Sequence, residues 1–286
     1  MTAQTNVPTG HIVVVGANSA TGRHLLPLLK GSPARITALV RRPEDLPADE
    51  VIPDWTNSQE AFDAIAGADT VIHLSGVFAA ADWASYEKGT VATAQRVADA
   101  VGDRPVRVVY LSYVGADAAD DNWYLRSKGL AEQALSPLSE AVVFRIQPLI
   151  RGGAAPSPFE QLLLQRAPEA PVRVFGDGTQ RTRPIHLGDV TAAILAAVRG
   201  AGSAGTYHLG GPDEHSVADL ARIANGRDVQ VMPVSVEAAA NLPGPPSTVV
   251  DLLARLTPAD GAEETAKEFG IQLTPLSAIW PLQPAY

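Results

Sequence analysis

Cysteine is absent from this chain of 286 residues. Without a thiol the protein forms no disulfide, offers no thiolate to a metal ion and has no cysteine nucleophile. The six histidines occur at no spacing typical of a metal site, so we predict that no metal is bound. His73 lies in an apolar run and is expected to be a hydrogen-bonded structural residue. A GxSxG nucleophile motif is missing too, which argues against an α/β-hydrolase. The lack of cysteine is consistent with a cytoplasmic protein, which is our prediction.

Positive charge is scarce as well. Lysine and arginine total 22 against 31 aspartates and glutamates, a formal net charge of −9. Phosphate groups would be repelled at long range, so we expect neither a nucleic-acid nor a membrane partner. No apolar run approaches the ~18 residues that span a bilayer, and no secretory signal is visible at the start. We expect a small-molecule substrate, and a monomer or homodimer.

What the chain does have is many apolar residues, 46% of the total, in short runs separated by helical patterns. Near-continuous Val, Ile and Leu runs are typical of parallel strands buried on both faces. The predicted strands are His11–Val15, Arg35–Val40, Thr70–Leu74, Val106–Ser112 and Ala141–Ile146. The predicted helices are Thr21–Leu29, Gln59–Ala66, Val91–Val101 and Asp189–Val198, the last with Asp189 as its N-cap. This alternation predicts an α/β fold with a doubly wound parallel sheet.

The composition changes after Ile150, where RGGAAPSP forms a Gly/Pro/Ala-rich break. Beyond it the spacing of apolar residues becomes less regular, and prolines are frequent near the end. We therefore predict a nucleotide-binding domain from residues 1–151 and 184–204. A smaller substrate-binding lobe is predicted from residues 152–183 and 205–286, with helices around Phe159–Arg166, Ser216–Asn225 and Ser247–Leu256.

The most informative stretch is HIVVVGANSATGRHLLPLLK, residues 11–30: a strand, a turn of small residues and an amphipathic helix. Gly16 permits a tight turn after the strand, and a side chain at Gly22 would push the helix from the sheet. Ser19 replaces the usual middle glycine, and its hydroxyl could donate to a phosphate. The other residues predicted to face a pyrophosphate at the helix N-terminus are Asn18, Ala20 and Thr21. The alternative is a simple strand–helix turn.

The end of the second strand bears on the choice of cofactor. NAD sites usually carry an acidic residue there, about 20 residues past the loop. This chain has Arg41 and Arg42 instead, and a guanidinium suits a 2′-phosphate but cannot accept from a 2′-hydroxyl. We therefore predict NADP(H) over NAD(H), although arginines after a strand are common on surfaces. Asp54 is a candidate acceptor for the adenine amino group, or else a helix N-terminal residue without a ligand.

Tyr124 and Lys128 lie four residues apart in a predicted helix and so share a face. A nearby ammonium and a nicotinamide cation would lower the pKa of the phenol and make it useful in proton transfer. Ser112 follows a buried strand, where its hydroxyl could bind a substrate oxygen beside Tyr124, and Tyr113 is an alternative donor. The other interpretation is an exposed lysine next to a half-buried tyrosine.

Together these segments resemble the short-chain dehydrogenase/reductase superfamily. The resemblance is greatest to its extended or atypical branch, near the NmrA-like and complex I 39-kDa-subunit-like proteins. It covers nearly the whole chain in family order. The segments that carry it are GANSATG, VRRPEDL, VIHLSGV, VVYLSYVGA, YLRSKGLAE, VVFRIQP, VFGDGTQRTRPIHLGDVTAAI and GTYHLGGPDEHSVADLARI. The resemblance implies a Rossmann fold, a nicotinamide cofactor and a small C-terminal lobe for substrate.

The resemblance also implies roles for individual residues, by position. It places Gly16, Ser19 and Gly22 at the pyrophosphate, Arg41 at the 2′-phosphate, Asp54, Ser75 and Gly76 at the adenosine, and Gln147 and Pro148 beside the nicotinamide. The implied catalytic set is Ser112, Tyr124 and Lys128.

Two departures from the family pattern affect the expected chemistry. Tyr113 stands where many relatives have a second serine or threonine, and Thr182 stands where sugar epimerases carry an arginine for the nucleotide diphosphate. The second departure disfavours a nucleotide-sugar substrate. We therefore expect an NADP(H)-dependent oxidoreductase for a small carbonyl or alcohol, with Tyr124 as acid/base. The alternatives are a redox-neutral epimerase, isomerase or cyclase, and a non-catalytic NADP(H)-binding sensor or scaffold.

Overall fold

A computed structural model describes residues 9–153, 155–167, 169–239 and 244–281. Its strands are β1 (His11–Val15), β2 (Arg35–Leu39), β3 (Glu50–Ile52), β4 (Thr70–His73), β5 (Arg107–Tyr113), β6 (Ala141–Ile146), β7 (Leu149–Ile150), β8 (Val172–Phe175), β9 (Arg181–Thr182), β10 (Ile185–His186), β11 (Gly205–Leu209), β12 (His215–Ser216) and β13 (Val231–Val234). Its helices are α1 (Ala20–Lys30), α2 (Gln59–Ala66), α3 (Trp83–Tyr86), α4 (Ala92–Val101), α5 (Trp123–Leu135), α6 (Pro158–Leu163), α7 (Leu187–Val198), α8 (Val217–Asn225), α9 (Val236–Ala239), α10 (Ser247–Ala254) and α11 (Ala262–Glu268). A π-helical turn, Glu87–Val91, joins α3 to α4, and a 3-10 turn covers Leu276–Ala278.

The central sheet has seven strands in the order β11-β6-β5-β4-β1-β2-β3, and every neighbouring pair is parallel. The order reverses beside β1, since β2 and β3 lie on one side of it and β4, β5, β6 and β11 on the other. This is the doubly wound arrangement that the alternating sequence predicts. In such sheets ligands bind outside the carboxyl ends of the strands, where the order reverses.

Both faces of the sheet are covered, which explains the continuous apolar runs of its strands. Successive residues of β1 point to opposite faces, so Ile12 and Val14 join one core and Val13 and Val15 join the other. The first core includes residues of α1 and α7, and the second includes residues of α2, α4 and α5. A third core joins the ends of β5 and α5 to β8, α8 and α10 in the smaller lobe.

Local capping fixes where the helices begin. The side chains of Ser19, Ser58, Asn122 and Ser216 each accept a hydrogen bond from a backbone N–H in the first turn of α1, α2, α5 and α8 respectively. Such caps satisfy N–H groups that have no partner within the helix. None of the helices in the described ranges is long and apolar enough to cross a membrane.

Three expectations need correction. The N-cap of α7 is His186, whose ring accepts from Gly188 N, whereas Asp189 lies in the first turn and accepts from the amide and hydroxyl of Thr274. Residues 205–209 were predicted to belong to the lobe, but they form β11 at the edge of the central sheet because they pair with β6 in parallel register. His73, expected to be a hydrogen-bonded structural histidine, is fully buried with no partner for either ring nitrogen among the described residues.

Candidate nucleotide and active site

The turn between β1 and α1 requires glycine at two positions. Gly16 has φ +73°, and a Cβ there would lie 2.8 Å from Ser75 N, on the loop after β4. A Cβ on Gly22 would lie 2.3 Å from the carbonyl oxygen of Ala17. The loop thus brings Gly16 and Ser75 together at the carboxyl edge of the sheet, as the sequence predicts for a phosphate loop.

Ser19 forms hydrogen bonds within the loop itself. Its Oγ accepts from Gly22 N at 3.1 Å, and its own N–H donates to Gly16 O at 3.0 Å. The missing middle glycine is therefore replaced by a helix cap, and the hydroxyl hydrogen stays available to a ligand. Ala20 and Thr21 follow as the first two residues of α1, whose N–H groups have no acceptor within the helix. Such groups at a helix N-terminus bind anions.

Arg41 and Arg42 lie just beyond β2 and are exposed. Neither guanidinium has a partner among the residues that the structure describes. Arg23, by contrast, is ion-paired with Glu44 and donates to the carbonyl of Asn18 at 3.2 Å. Two unpaired cations therefore stand at the carboxyl end of β2, where a 2′-phosphate would be recognised.

Asp54 follows β3 and opens the turn into α2. Its carbonyl accepts from the N–H groups of Asn57 and Ser58, and its Oδ1 accepts from Asn57 Nδ2 at 2.8 Å. Asp54 therefore lies in the turn before the N-cap Ser58 and not at the helix N-terminus that the alternative gave it, and its second carboxylate oxygen is left for another donor.

Tyr124 and Lys128 do share one face of α5. Lys128 is 8% exposed, and its Nζ donates to Leu111 O at 2.8 Å. Nζ lies 5.9 Å from the ring centroid of Tyr124, and a Cβ on Gly76 would be 3.3 Å from the same Nζ. The structure therefore brings Gly76, Tyr124 and Lys128 together, and the lysine is buried, not exposed as in the alternative interpretation.

The hydroxyl of Tyr124 is the free group of this cluster. It has no hydrogen-bond partner within the described part of the chain, and its oxygen is not fully enclosed. Its ring packs edge-on against Phe78 and Tyr113, with centroids 5.3 and 5.4 Å away. The ring is thus held firmly while the hydroxyl oxygen remains partly accessible.

Burial controls the ionisation of the pair. Desolvation raises the pKa of Tyr124 above its ordinary value, and repulsion from Tyr86 adds to the effect. Desolvation lowers the pKa of Lys128 to about 8, while Glu132 opposes that change. In the protein alone, burial therefore outweighs the ammonium, and Tyr124 is protonated at neutral pH. The low pKa that the sequence interpretation assigned to this phenol is not a property of the chain by itself.

Ser112 does not reach Tyr124. It is 2% exposed, and its hydroxyl donates to Glu132 Oε1. Glu132 in turn accepts from Arg145 at 2.9 Å (Nε to Oε1) and 2.5 Å (Nη2 to Oε2). Side chains alternate along β5, so Tyr113 points away from Ser112 and contacts Tyr124 instead. Of the two residues, Tyr113 is therefore the one whose side chain contacts Tyr124.

The Ser112–Glu132–Arg145 cluster makes a testable contribution to stability. Replacing Glu132 with alanine leaves a half-buried guanidinium unpaired, and we expect a cost of about 2 kcal/mol. Ser112→Ala should cost about 1 kcal/mol, and adding it to Glu132→Ala should cost little more, because the serine has then already lost its acceptor. Urea unfolding of the two single variants and the double variant measures this, and full additivity would contradict it.

Gln147 and Pro148 hold segments of the chain together. Gln147 is 1% exposed, and its Oε1 accepts from Thr182 Oγ1 and from the N–H of Arg183, while Nε2 donates to Thr257 O. The carbonyl of Pro148 accepts from Ile185 N at 3.0 Å. The side chain of Gln147 therefore joins the sheet to the lobe, with its amide oxygen and one of its amide hydrogens bonded to other parts of the chain.

Sequence reasoning missed Phe78 and Asn122. Phe78 carried no motif, and only the fold places it against Tyr124. Asn122 directly precedes α5, caps it with Oδ1, and donates from Nδ2 to Thr248 O and Asp251 Oδ2 of α10 at 2.8 and 2.7 Å. An asparagine just before a helical pattern was a usable capping signal.

The chain is similar to known nucleotide-binding proteins. Residues 16–140 match the family model described as NAD(P)H-binding. The chain is 28% identical over 226 residues to NADH dehydrogenase (ubiquinone) 1 alpha subcomplex subunit 9, mitochondrial, of Arabidopsis thaliana, covering 73% of this chain and 56% of that protein. It is 28% identical over 203 residues to the ceramide reductase of Caulobacter vibrioides, covering 66% and 61%. The chain thus spans somewhat over half the length of these relatives.

Solved structures share the fold over nearly the whole chain. UDP-glucuronic acid 4-epimerase from Bacillus cereus, in complex with NAD, superposes with a TM-score of 0.72 at 15% identity, covering 96% of this chain and 97% of that one. ADP-L-glycero-D-manno-heptose-6-epimerase from Helicobacter pylori gives 0.70 at 16% identity, covering 96% and 95%. Residues 16–140 thus match an NAD(P)H-binding family, and the seven-stranded parallel sheet is the Rossmann fold that these solved structures share.

Proposed function

We propose that this protein is an NADP(H)-dependent reductase or dehydrogenase for a small carbonyl or alcohol. The observation that carries the proposal is the pair on α5: a tyrosine whose hydroxyl has no partner in the described structure, beside a buried lysine. A structural role alone gives no reason to keep a buried ammonium next to an unpaired phenol. The ceramide reductase relative, whose name denotes a reduction, is consistent with this activity.

The residues present fit a dinucleotide. The tight turn at Gly16, packed against the backbone of Ser75, and the first N–H groups of α1 suit a pyrophosphate. The unpaired guanidinium of Arg41 suits a 2′-phosphate, which supports NADP(H) over NAD(H). Lys128, beside Gly76, would donate to the ribose hydroxyls. When bound, the nicotinamide exchanges a hydride at C4.

The chain's own part in the reaction is proton transfer and positioning. In reduction the Tyr124 hydroxyl gives its proton to the substrate oxygen, and in oxidation the phenolate takes it back. Lys128 stabilises the phenolate, since an ammonium nearby favours the charged form. Tyr113 takes over the place beside Tyr124 that was first assigned to Ser112.

A nucleotide-sugar substrate is disfavoured by the lobe. Thr182 is fully buried and bonded to Gln147, so no cation stands at that position. Its neighbours Arg181 and Arg183 both donate to Glu214, at 2.6 and 3.2 Å. The diphosphate of a sugar nucleotide would find these arginines already paired.

The first experiment identifies the nucleotide. Any nucleotide released from the purified protein is identified by mass spectrometry, and the stripped protein is titrated with NADPH and NADH. Exchangeable binding that favours NADPH, followed by NADPH consumption in a screen of carbonyl compounds, is the expected result. Tightly retained NAD(H) with turnover but no net change in NADPH would overturn the proposal in favour of a redox-neutral enzyme.

The pKa of Lys128 predicts how binding depends on pH. At a pKa of about 8 the ammonium is present below that pH and lost above it. Because only the ammonium favours the ribose and phosphate oxygens strongly, we expect NADPH affinity to fall by up to about tenfold between pH 7 and pH 9. Fluorescence titration of wild type, Lys128→Met and the exposed control Lys88→Met measures it. A wild-type profile as flat as that of Lys128→Met would contradict the assignment.

A further inference from the structure

The loop between β4 and α3 presents an exposed aromatic ring beside Tyr124. Phe78 is 39% exposed, among the few large apolar side chains so exposed in the described residues. Its ring stands edge-on to Tyr124, at 80° and 5.3 Å between centroids. An exposed phenylalanine against the proposed proton donor is a surface that a ligand would cover.

The loop is anchored at each residue around Phe78. Val77 N donates to Thr90 Oγ1 at 3.0 Å, and Ala80 N donates to the hydroxyl of Tyr86 at 3.1 Å. That hydroxyl donates to the carbonyl of Phe78 at 3.2 Å, and Tyr86 and Thr90 are fully buried. The loop is therefore fixed in place by the core and does not depend on the phenyl ring for its position.

The π-helical turn Glu87–Val91 helps to fix the same loop. It includes Thr90 and Gly89, and a Cβ on Gly89 would lie 2.4 Å from a methyl carbon of Val77. Thr248 of α10 contacts the Tyr86 hydroxyl at 2.9 Å and extends the anchor into the smaller lobe. Buried residues thus hold the backbone around Phe78 in place beside Tyr124, although the Phe78 ring itself is exposed and adds little stability there.

The groups around Tyr124 indicate what kind of ligand would contact the Phe78 ring. Tyr113 forms the other aromatic wall, and the partly buried Trp83 and Trp123 pack against the same cluster. The Arg126 guanidinium is 4.9 Å from the Trp83 ring. Aromatic rings prefer edge-to-face and offset-stacked partners, and such pairs contribute about 0.5–1.5 kcal/mol beyond area burial.

Resting on the proposed function, we propose that Phe78 is a specificity-determining residue that selects carbonyl compounds with an aromatic ring next to the carbonyl carbon. The substrate ring packs against Phe78 and Tyr113 while its oxygen meets the Tyr124 hydroxyl. Polyhydroxylated carbonyls bind poorly because the phenyl ring of Phe78 offers their hydroxyls no partner.

The test uses unreactive probes, so that it does not depend on turnover. Benzamide and cyclohexanecarboxamide, which differ in the aromaticity of one ring, are titrated by NMR into the NADPH-saturated protein. Wild type should prefer benzamide by about tenfold, and Phe78→Ala should lose that preference while Phe78→Tyr retains it. Leu28→Ala, which removes another exposed apolar side chain (50% exposed) on α1, is the matched control and should change nothing.

The companion assay is NADPH oxidation with benzaldehyde, cyclohexanecarbaldehyde and glyceraldehyde. Phe78→Ala should lower kcat/KM for benzaldehyde alone, by about tenfold. An equal loss for all three aldehydes, equal binding of both amides by wild type, or no binding of benzamide would overturn the inference. Amide preference without turnover of any aldehyde would instead refute the proposed function and leave the aromatic site standing.

Discussion

Replacing Tyr124 with phenylalanine should lower kcat for NADPH-dependent carbonyl reduction by about 100- to 10,000-fold. The substitution removes the group that transfers the proton and keeps the ring that packs against Phe78 and Tyr113. Because the hydroxyl has no partner in the described structure, thermal stability should stay within about 0.5 kcal/mol of wild type. Affinity for NADPH should change little, so the loss belongs to the chemical step. Steady-state kinetics with thermal unfolding and NADPH titration separates these effects.

The matched control for this substitution is Tyr207→Phe. Tyr207 donates to Ser203 O and Glu268 Oε1 at the far edge of the sheet, so its hydroxyl is used structurally. We expect that variant to lose some stability and no kcat. If Tyr124→Phe kept the kcat of wild type, Tyr124 would not be the acid/base. If neither protein reduced any carbonyl, the non-catalytic NADP(H)-binding alternative would replace the proposed enzyme.

Arg41→Gln should weaken NADPH binding by about 50-fold and leave NADH binding unchanged. A hydrogen-bonded guanidinium–phosphate pair contributes about 1.5–3 kcal/mol, and the neutral amide retains little of it. The loss should shrink at high salt, because the arginine is exposed and its interaction is screened. Titration of both nucleotides at low and high ionic strength measures the effect.

Arg199→Gln is the control for net charge. Arg199 is also exposed and lies at the end of α7, away from the end of β2. Its replacement removes the same unit of charge. A similar loss of NADPH binding in both variants would attribute the effect to the overall field and not to a phosphate contact. Equal affinity of wild type for NADPH and NADH would overturn the NADP(H) proposal altogether.

Local sequence was sufficient for the first half of the fold and for the nucleotide loop. The runs at β1, β2, β4, β5 and β6 are apolar on both faces, which only buried parallel strands require. Gly16 and Gly22 lie in one short segment, where the positive φ of Gly16 and the close contact of Gly22 with Ala17 require glycine locally. Tyr124 and Lys128 are likewise within one helix, so their shared face follows from the helical period.

Contacts between distant segments could not be predicted in this way. The sequence predicts Asp189 as the cap of α7, whereas in the structure His186 caps the helix and Thr274, far along the chain, bonds to the aspartate. Strand β11 is a short run, and only its pairing with β6 makes it part of the sheet. Gln147 is predicted to lie beside the nicotinamide, yet its amide group is hydrogen-bonded to Thr182 and Thr257.

The sequence by itself therefore determined the doubly wound sheet, the glycine-dependent loop and the tyrosine–lysine pair, because each depends on residues near one another in the chain. Only the tertiary structure decided that Ser112 donates to Glu132 and that Tyr113 and Phe78 pack against Tyr124. It also decided that burial shifts the pKa values of Tyr124 and Lys128. Those outcomes depend on strand register, on the packing of α5 against β5 and on the loss of water around buried groups. These are properties of the assembled sheet and helices, and no local pattern contains them.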